Sequence, residues 1–183
     1  MRVLYLGLSG VTHPSANTYH LVRGADPWSN GHKEYEAVPW LAHALEPWSD
    51  LQIVLTSTQP WKQGLPAVLQ RMPELAGRVA GHTFEDLTTQ PIRLVLSRSG
   101  ASRRLPFSSE DYWRMNKSDI VAAHVDWLEP EAWVAVDDED ILWRGEYAAH
   151  VCIVDGCEGL RHPAERDKLL SCLRSNFGPG AQR

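Results

Sequence analysis

Apolar residues gather in four short runs, each ending abruptly at small or polar residues. Val3–Leu6 stops at Gly7, Leu51–Leu55 at Thr56-Ser57-Thr58, Ala132–Val136 at Asp137-Asp138, and His150–Val154 at Asp155-Gly156. Three of the four are nearly continuous Val, Ile, Leu and Ala, as strands read when helices cover both faces of a parallel sheet. Arg78–Ala80 is a fifth and weaker strand candidate. Helical patterns fall between them. Pro39 is suited to the first turn of a helix running through Leu45, and Pro73 divides Leu65–Gly81 into two short helices. Asn116–Leu128 carries Ile120, Val121, His124, Trp127 and Leu128 on one stripe. Pro163–Phe177 forms the last helix and ends at Gly178-Pro179. This alternation predicts one α/β domain over residues 1–177, with an open, mostly parallel sheet of about five strands and helices on both faces. Working groups in such sheets lie beyond the carboxyl ends of the strands, so residues 7–12, 56–58 and 137–140 are expected at one crevice.

Two stretches stand outside the alternation. Residues 12–34 are rich in His, Asn, Gly and Ser and read as a loop or small flap after the first strand. Residues 87–109 contain no acid but hold Arg93, Arg98, Arg103 and Arg104 among seven Ser and Thr, and read as an exposed loop. Through those arginines a nucleic-acid contact stays open. The tail 178–183 reads as flexible.

Composition narrows the class. The 183 residues carry a net charge of −5, which excludes a generally basic, phosphate-hugging surface. No run approaches the roughly 20 apolar residues of a membrane span, and Gly7, Ser9 and Gly10 interrupt the apolar start too early for a signal peptide. The three cysteines, Cys152, Cys157 and Cys172, follow no zinc spacing and read as reduced thiols of a cytoplasmic protein. Cys157 sits in a Gly-Cys-Glu-Gly turn expected to be exposed. Acids concentrate late: residues 126–140 hold seven of the 23.

The strand ends hold a chemically coherent set. Thr56 and Ser57 offer hydroxyls and backbone N–H groups to an anionic oxygen, and Lys117 offers a positive charge at a helix start. Asp137 and Asp138 offer the hard oxygens that Mg²⁺ prefers. Together these form a phosphoryl-handling set. His13 and His20 are placed to flank the crevice and Trp61 to wall it, whereas His124, on its apolar stripe, reads as a core residue.

In order and spacing these segments resemble the haloacid dehalogenase-like (HAD) superfamily, most closely a bacterial group of about this size. Leu4–Leu6 followed by Gly7-Leu8-Ser9-Gly10-Val11-Thr12-His13-Pro14 resembles the first motif of that group, a strand then Asp-x-Asp-Gly-Val-x-His-Pro. Ile53–Trp61 resembles the second motif, Lys117 the basic residue of the third, and Trp133–Asp138 the acidic fourth. The resemblance implies a Rossmann-like HAD domain with a minimal cap, and Mg²⁺ at Asp137 and Asp138.

The first motif departs from the pattern at its centre. In HAD phosphatases its first Asp attacks phosphorus and binds Mg²⁺, and its second is the general acid and base. Here those positions are Gly7 and Ser9. Glycine cannot form an aspartyl-phosphate, and serine titrates too high to donate a proton near neutrality. The expectation is therefore a HAD-like binding or regulatory protein for a phosphorylated small molecule or a protein partner. Two alternatives stay open: a Mg²⁺-dependent HAD-type phosphohydrolase with a non-standard first motif, and a serine hydrolase using Ser9. Gly7-Leu8-Ser9-Gly10 resembles a nucleophile turn, although Val11 stands where the full elbow needs glycine.

Overall fold

A computed structural model describes residues 1–83, 93–96, 102–105, 116–140, 143 and 145–180. The chain runs β1 (Arg2–Leu6), α1 (Ala16–Arg23), α2 (Val38–Ala44), β2 (Gln52–Leu55), α3 (Gln59–Gln63), α4 (Leu65–Gln70), α5 (Pro73–Ala76) and β3 (Val79–His82). It continues with β4 (Arg93–Leu96), β5 (Ser102–Leu105), α6 (Lys117–Leu128), β6 (Ala132–Asp137), β7 (Val151–Ile153) and α7 (Pro163–Phe177). Five strands form one sheet in the order β3-β2-β1-β6-β7, every pairing parallel. β4 and β5 pair separately as an antiparallel ribbon. The rest of the 87–109 stretch, including Arg98, and residues 181–183 of the tail lie outside the described residues.

Strand alternation divides the core in two. Leu4, Leu6, Ile53, Leu55, Val134 and Val136 face α2, α4, α5 and α7, where Leu41, Val68, Leu75, Leu169 and Leu173 complete the larger cluster. Val3, Tyr5, Val54, Trp133 and Ala135 face α6 through Val121. Each fully buried aliphatic side chain contributes roughly 1.5–3 kcal/mol, and β1 and β6 supply such residues to both faces. Both strands are therefore central.

Helix limits follow local chemistry. The Asn116 side chain caps α6 by accepting from the Asp119 N–H at 2.9 Å. Pro163 opens α7, with the His162 imidazole accepting from the Ala164 N–H at 3.2 Å. The expected break at Pro73 separates α4 from α5. The weak strand lies slightly later than its pattern indicated, at Val79–His82, because parallel pairing with β2 carries Gly81 and His82 into the ladder. Within residues 12–34 the chain forms α1, which buries Tyr19 and ends on Gly24 at φ 66°. Its Leu21 and Val22 stay exposed, so no apolar stripe marked it as helical.

His124 is a core residue, as its place on the apolar stripe indicated. It is buried, and its Nδ1 is hydrogen-bonded to the Tyr5 hydroxyl at 3.0 Å. Burial pushes its pKa down to about 4. Cys157, expected to be exposed, is buried, in a turn closed by its own N–H on Asp155 Oδ1 at 2.7 Å. All three cysteines are unbonded. No helix among the described residues is long and apolar enough to cross a membrane.

Candidate functional site

Three neighbouring strands bring the site residues into one row. Gly7 donates its N–H to Val136 O at 3.0 Å, and Thr56 donates its own to Leu6 O at 3.0 Å, so the exits of β2, β1 and β6 stand side by side. The two-residue period then decides direction. Val54, Tyr5 and Ala135 face α6, so the residues two further on, Thr56, Gly7 and Asp137, take that side as well. Lys117 is the first residue of α6 and reaches Asp137 there.

Asp137 and Asp138 are neighbours in sequence but leave β6 in opposite directions. Asp137 is 1% exposed, and its Oδ1 accepts from Lys117 Nζ at 2.8 Å and from the Glu139 N–H at 3.1 Å. Its Oδ2 is sealed from solvent and has no hydrogen-bond partner among the described residues. Lys117 Nζ also lies 3.6 Å from Glu139 Oε1. Burial by itself would lower the Lys117 pKa, but the charges of Asp137 and Glu139 overcome it and the net shift is upward. Lys117 therefore stays charged throughout the physiological range.

Asp138 points the other way, toward the backbone of Gly10 and Gly156. A Cβ built at Gly156 would come within 2.7 Å of Asp138 Oδ2, and one at Gly10 would overlap it. Gly10 has φ +77°, a conformation suited to glycine. Burial, reinforced by the charge of Asp137, pushes the Asp138 pKa up to about 7.

Gly7 is the closest point of the row. A Cβ there would stand 2.6 Å from Asp137 Oδ2, 3.1 Å from Val11 Cγ2 and 3.2 Å from Val136 O. The Asp137 carboxylate thus occupies the space where a side chain at position 7 would begin. Thr56 Oγ1 is buried without a hydrogen-bond partner among the described residues. Ser57 Oγ accepts from the Gln59 N–H at 3.1 Å, closing the turn into α3. Trp61 lies just beyond that turn, and its indole N–H is also buried and unpartnered.

Ser9 is exposed and forms a backbone bridge with His13. The His13 ring is held elsewhere. Its Nδ1 accepts from the Tyr35 N–H at 3.2 Å and lies 3.0 Å from Thr12 Oγ1, and burial lowers its pKa. Among the described residues no hydrogen bond joins a histidine to the Ser9 hydroxyl. His20 stands exposed on α1.

Residues 3–164 match the family described as the HAD domain in Swiss Army Knife RNA repair proteins. The chain belongs to this HAD family. Searches of curated proteins and of solved structures gave no match.

HAD domains typically use Mg²⁺, and the donors here fit that ion poorly. Mg²⁺ takes near-octahedral oxygens at about 2.0–2.1 Å and keeps several waters. Asp137 Oδ1 is committed to Lys117 and a backbone amide, its Oδ2 is closed to a hydrated ion, and Asp138 faces other surroundings. Among the described residues no group of three or more His, Cys, Asp or Glu is placed to hold a metal. The sequence had singled out Lys117 and Asp137 but not their pairing, nor Glu139 as the second acid on the lysine. The run Asp137–Asp140 carried that signal, but strand direction was needed to sort its members.

Proposed function

We propose that this chain is a non-hydrolytic HAD domain that binds a phosphorylated ligand at its strand-end crevice. The observation that carries the reading is the state of position 7. It has no carboxylate, and the neighbouring Asp137 fills the space from which one would attack. Ser9, at the second acidic position of the motif, cannot act as general acid or base near neutrality. Loss of a nucleophile and its acid–base partner costs several orders of magnitude in rate.

The binding half rests on the groups that remain. The turn after β2 carries two hydroxyls: Thr56 Oγ1, without a hydrogen-bond partner among the described residues, and Ser57 Oγ, which accepts from the Gln59 N–H. Lys117 spends one N–H on Asp137, which leaves donors on the same ammonium for a ligand oxygen. The family's association with RNA repair proteins makes a phosphorylated nucleic-acid end one ligand of this class. Unbonded cysteines accord with a reducing, cytoplasmic setting.

The test pairs turnover with binding. With p-nitrophenyl phosphate and Mg²⁺, no release above the buffer rate is expected. Inorganic phosphate, followed by ³¹P NMR line broadening, is expected to bind saturably and to weaken in Thr56→Val. Mg²⁺-dependent turnover abolished by Asp137→Ala would overturn the reading in favour of an active phosphohydrolase.

A further inference from the structure

We propose that the Lys117 ammonium, and not a divalent ion, is the resident cation of this crevice, so that whatever binds there binds without Mg²⁺. The inference extends the non-hydrolytic reading to the ion that charges the site. It begins from a requirement of electrostatics: a carboxylate that is 1% exposed needs a counter-charge within contact distance. Two kinds of cation can meet that need at the end of β6. One is a metal, shared among several carboxylates with room for its waters. The other is a side-chain ammonium.

The geometry matches the second. Lys117 Nζ stands 2.8 Å from Asp137 Oδ1 and 3.6 Å from Glu139 Oε1, between the two acids of the α6 side. The Glu139 N–H takes a second position on the same Oδ1 at 3.1 Å. The remaining oxygen of Asp137 turns inward over Gly7, where a Cβ would be only 2.6 Å away. Only a residue lacking Cβ lets the carboxylate settle there, so the glycine and the Lys117–Asp137 pair depend on one another. With the carboxylate in that position, both of its oxygens are withheld from a hydrated ion.

The pair also joins two elements. Asp137 ends β6 and Lys117 opens α6, while β1, which Gly7 follows, lies between β2 and β6. The ammonium thus fastens the helix start to the sheet while it charges the crevice. A metal at the same carboxylate would have to displace it.

The experiment uses the full chain labelled with ¹⁵N. In the wild type, the lysine ammonium spectrum is expected to show one protected Lys117 signal whose position does not move between EDTA and millimolar Mg²⁺. The same signal is expected to vanish in Asp137→Asn. Mn²⁺ titration followed by water-proton relaxation is expected to show no saturable site in the wild type. In Lys117→Met, which frees Asp137, Mn²⁺ binding is expected to tighten at least tenfold. Saturable Mn²⁺ binding by the wild type that disappears in Asp137→Asn would overturn the proposal, even if Lys117→Met fails to fold. That result, together with absent phosphate-ester turnover, would leave the non-hydrolytic reading standing. Turnover with bound metal would remove both.

Discussion

Acidification separates His124 from the rest of the molecule. In the unfolded chain a histidine titrates near 6.5, whereas burial beneath Tyr5 and Trp127 holds His124 at about 4 in the fold. The sign follows from proton counting. Between these two values the unfolded chain binds the proton and the folded one does not, so stability is lost as pH falls through the window from 6.5 to about 4. At about 1.4 kcal/mol per pH unit, that gap corresponds to about 3 kcal/mol by the lower end. Asp138 works in the opposite sense. Its carboxyl is raised to about 7, so folding takes up a proton there and acid favours the folded state. The wild-type curve therefore contains two opposing slopes, and the contribution of His124 emerges by difference. Urea denaturation at pH 7 and pH 4.5 of the wild type and of His124→Gln, which cannot charge, supplies that difference. The glutamine variant is expected to start less stable at pH 7, having lost the imidazole hydrogen-bonded to the Tyr5 hydroxyl at 3.0 Å. On acidification it is expected to lose about 2–3 kcal/mol less than the wild type. Equal losses in the two proteins would refute the argument, because they would mean that the folded histidine takes up its proton without cost.

Four further outcomes follow from the site and its scaffold. Gly7→Ala places a methyl 2.6 Å from Asp137 Oδ2 and forces that carboxylate off its position; a loss of about 1–3 kcal/mol in urea denaturation is expected, as for other overpacked sites. Lys117→Met strands a buried carboxylate, so about 3–5 kcal/mol should be lost in urea denaturation. The double variant Lys117→Met/Asp137→Leu is expected to regain most of that loss in the same assay. Asn116→Ala removes the cap that accepts from the Asp119 N–H and should cost about 1 kcal/mol, read as a shift of the urea midpoint with an unchanged slope.

The sheet was legible because its strands are buried on both faces. Val3–Leu6, Ile53–Leu55 and Ala132–Val136 have no polar position to alternate with, and only a sandwiched parallel strand tolerates that. β3 was harder to read. Its Ala80 and Gly81 are too small to show a pattern, and pairing with β2 determines its extent. α1 was not legible as a helix, since one buried tyrosine anchors it and its own apolar residues face outward. The burial of Cys157 was equally hidden. A Gly-Cys-Glu-Gly turn reads as surface until its place in the fold is known.

At the site, the sequence by itself determined the inventory: a glycine and a serine in the first motif, hydroxyls after the second strand, one lysine, and adjacent acids after Val136. Composition and order sufficed for that, because a parallel sheet must bring its strand ends together. Only the tertiary structure decided how those groups divide. Successive residues leaving a strand point to opposite faces, so Asp137 meets Lys117 on the α6 side while Asp138 turns toward Gly10 and Gly156. The same alternation aims position 7 at the Asp137 carboxylate, which makes the missing side chain there a condition for the ion pair beside it.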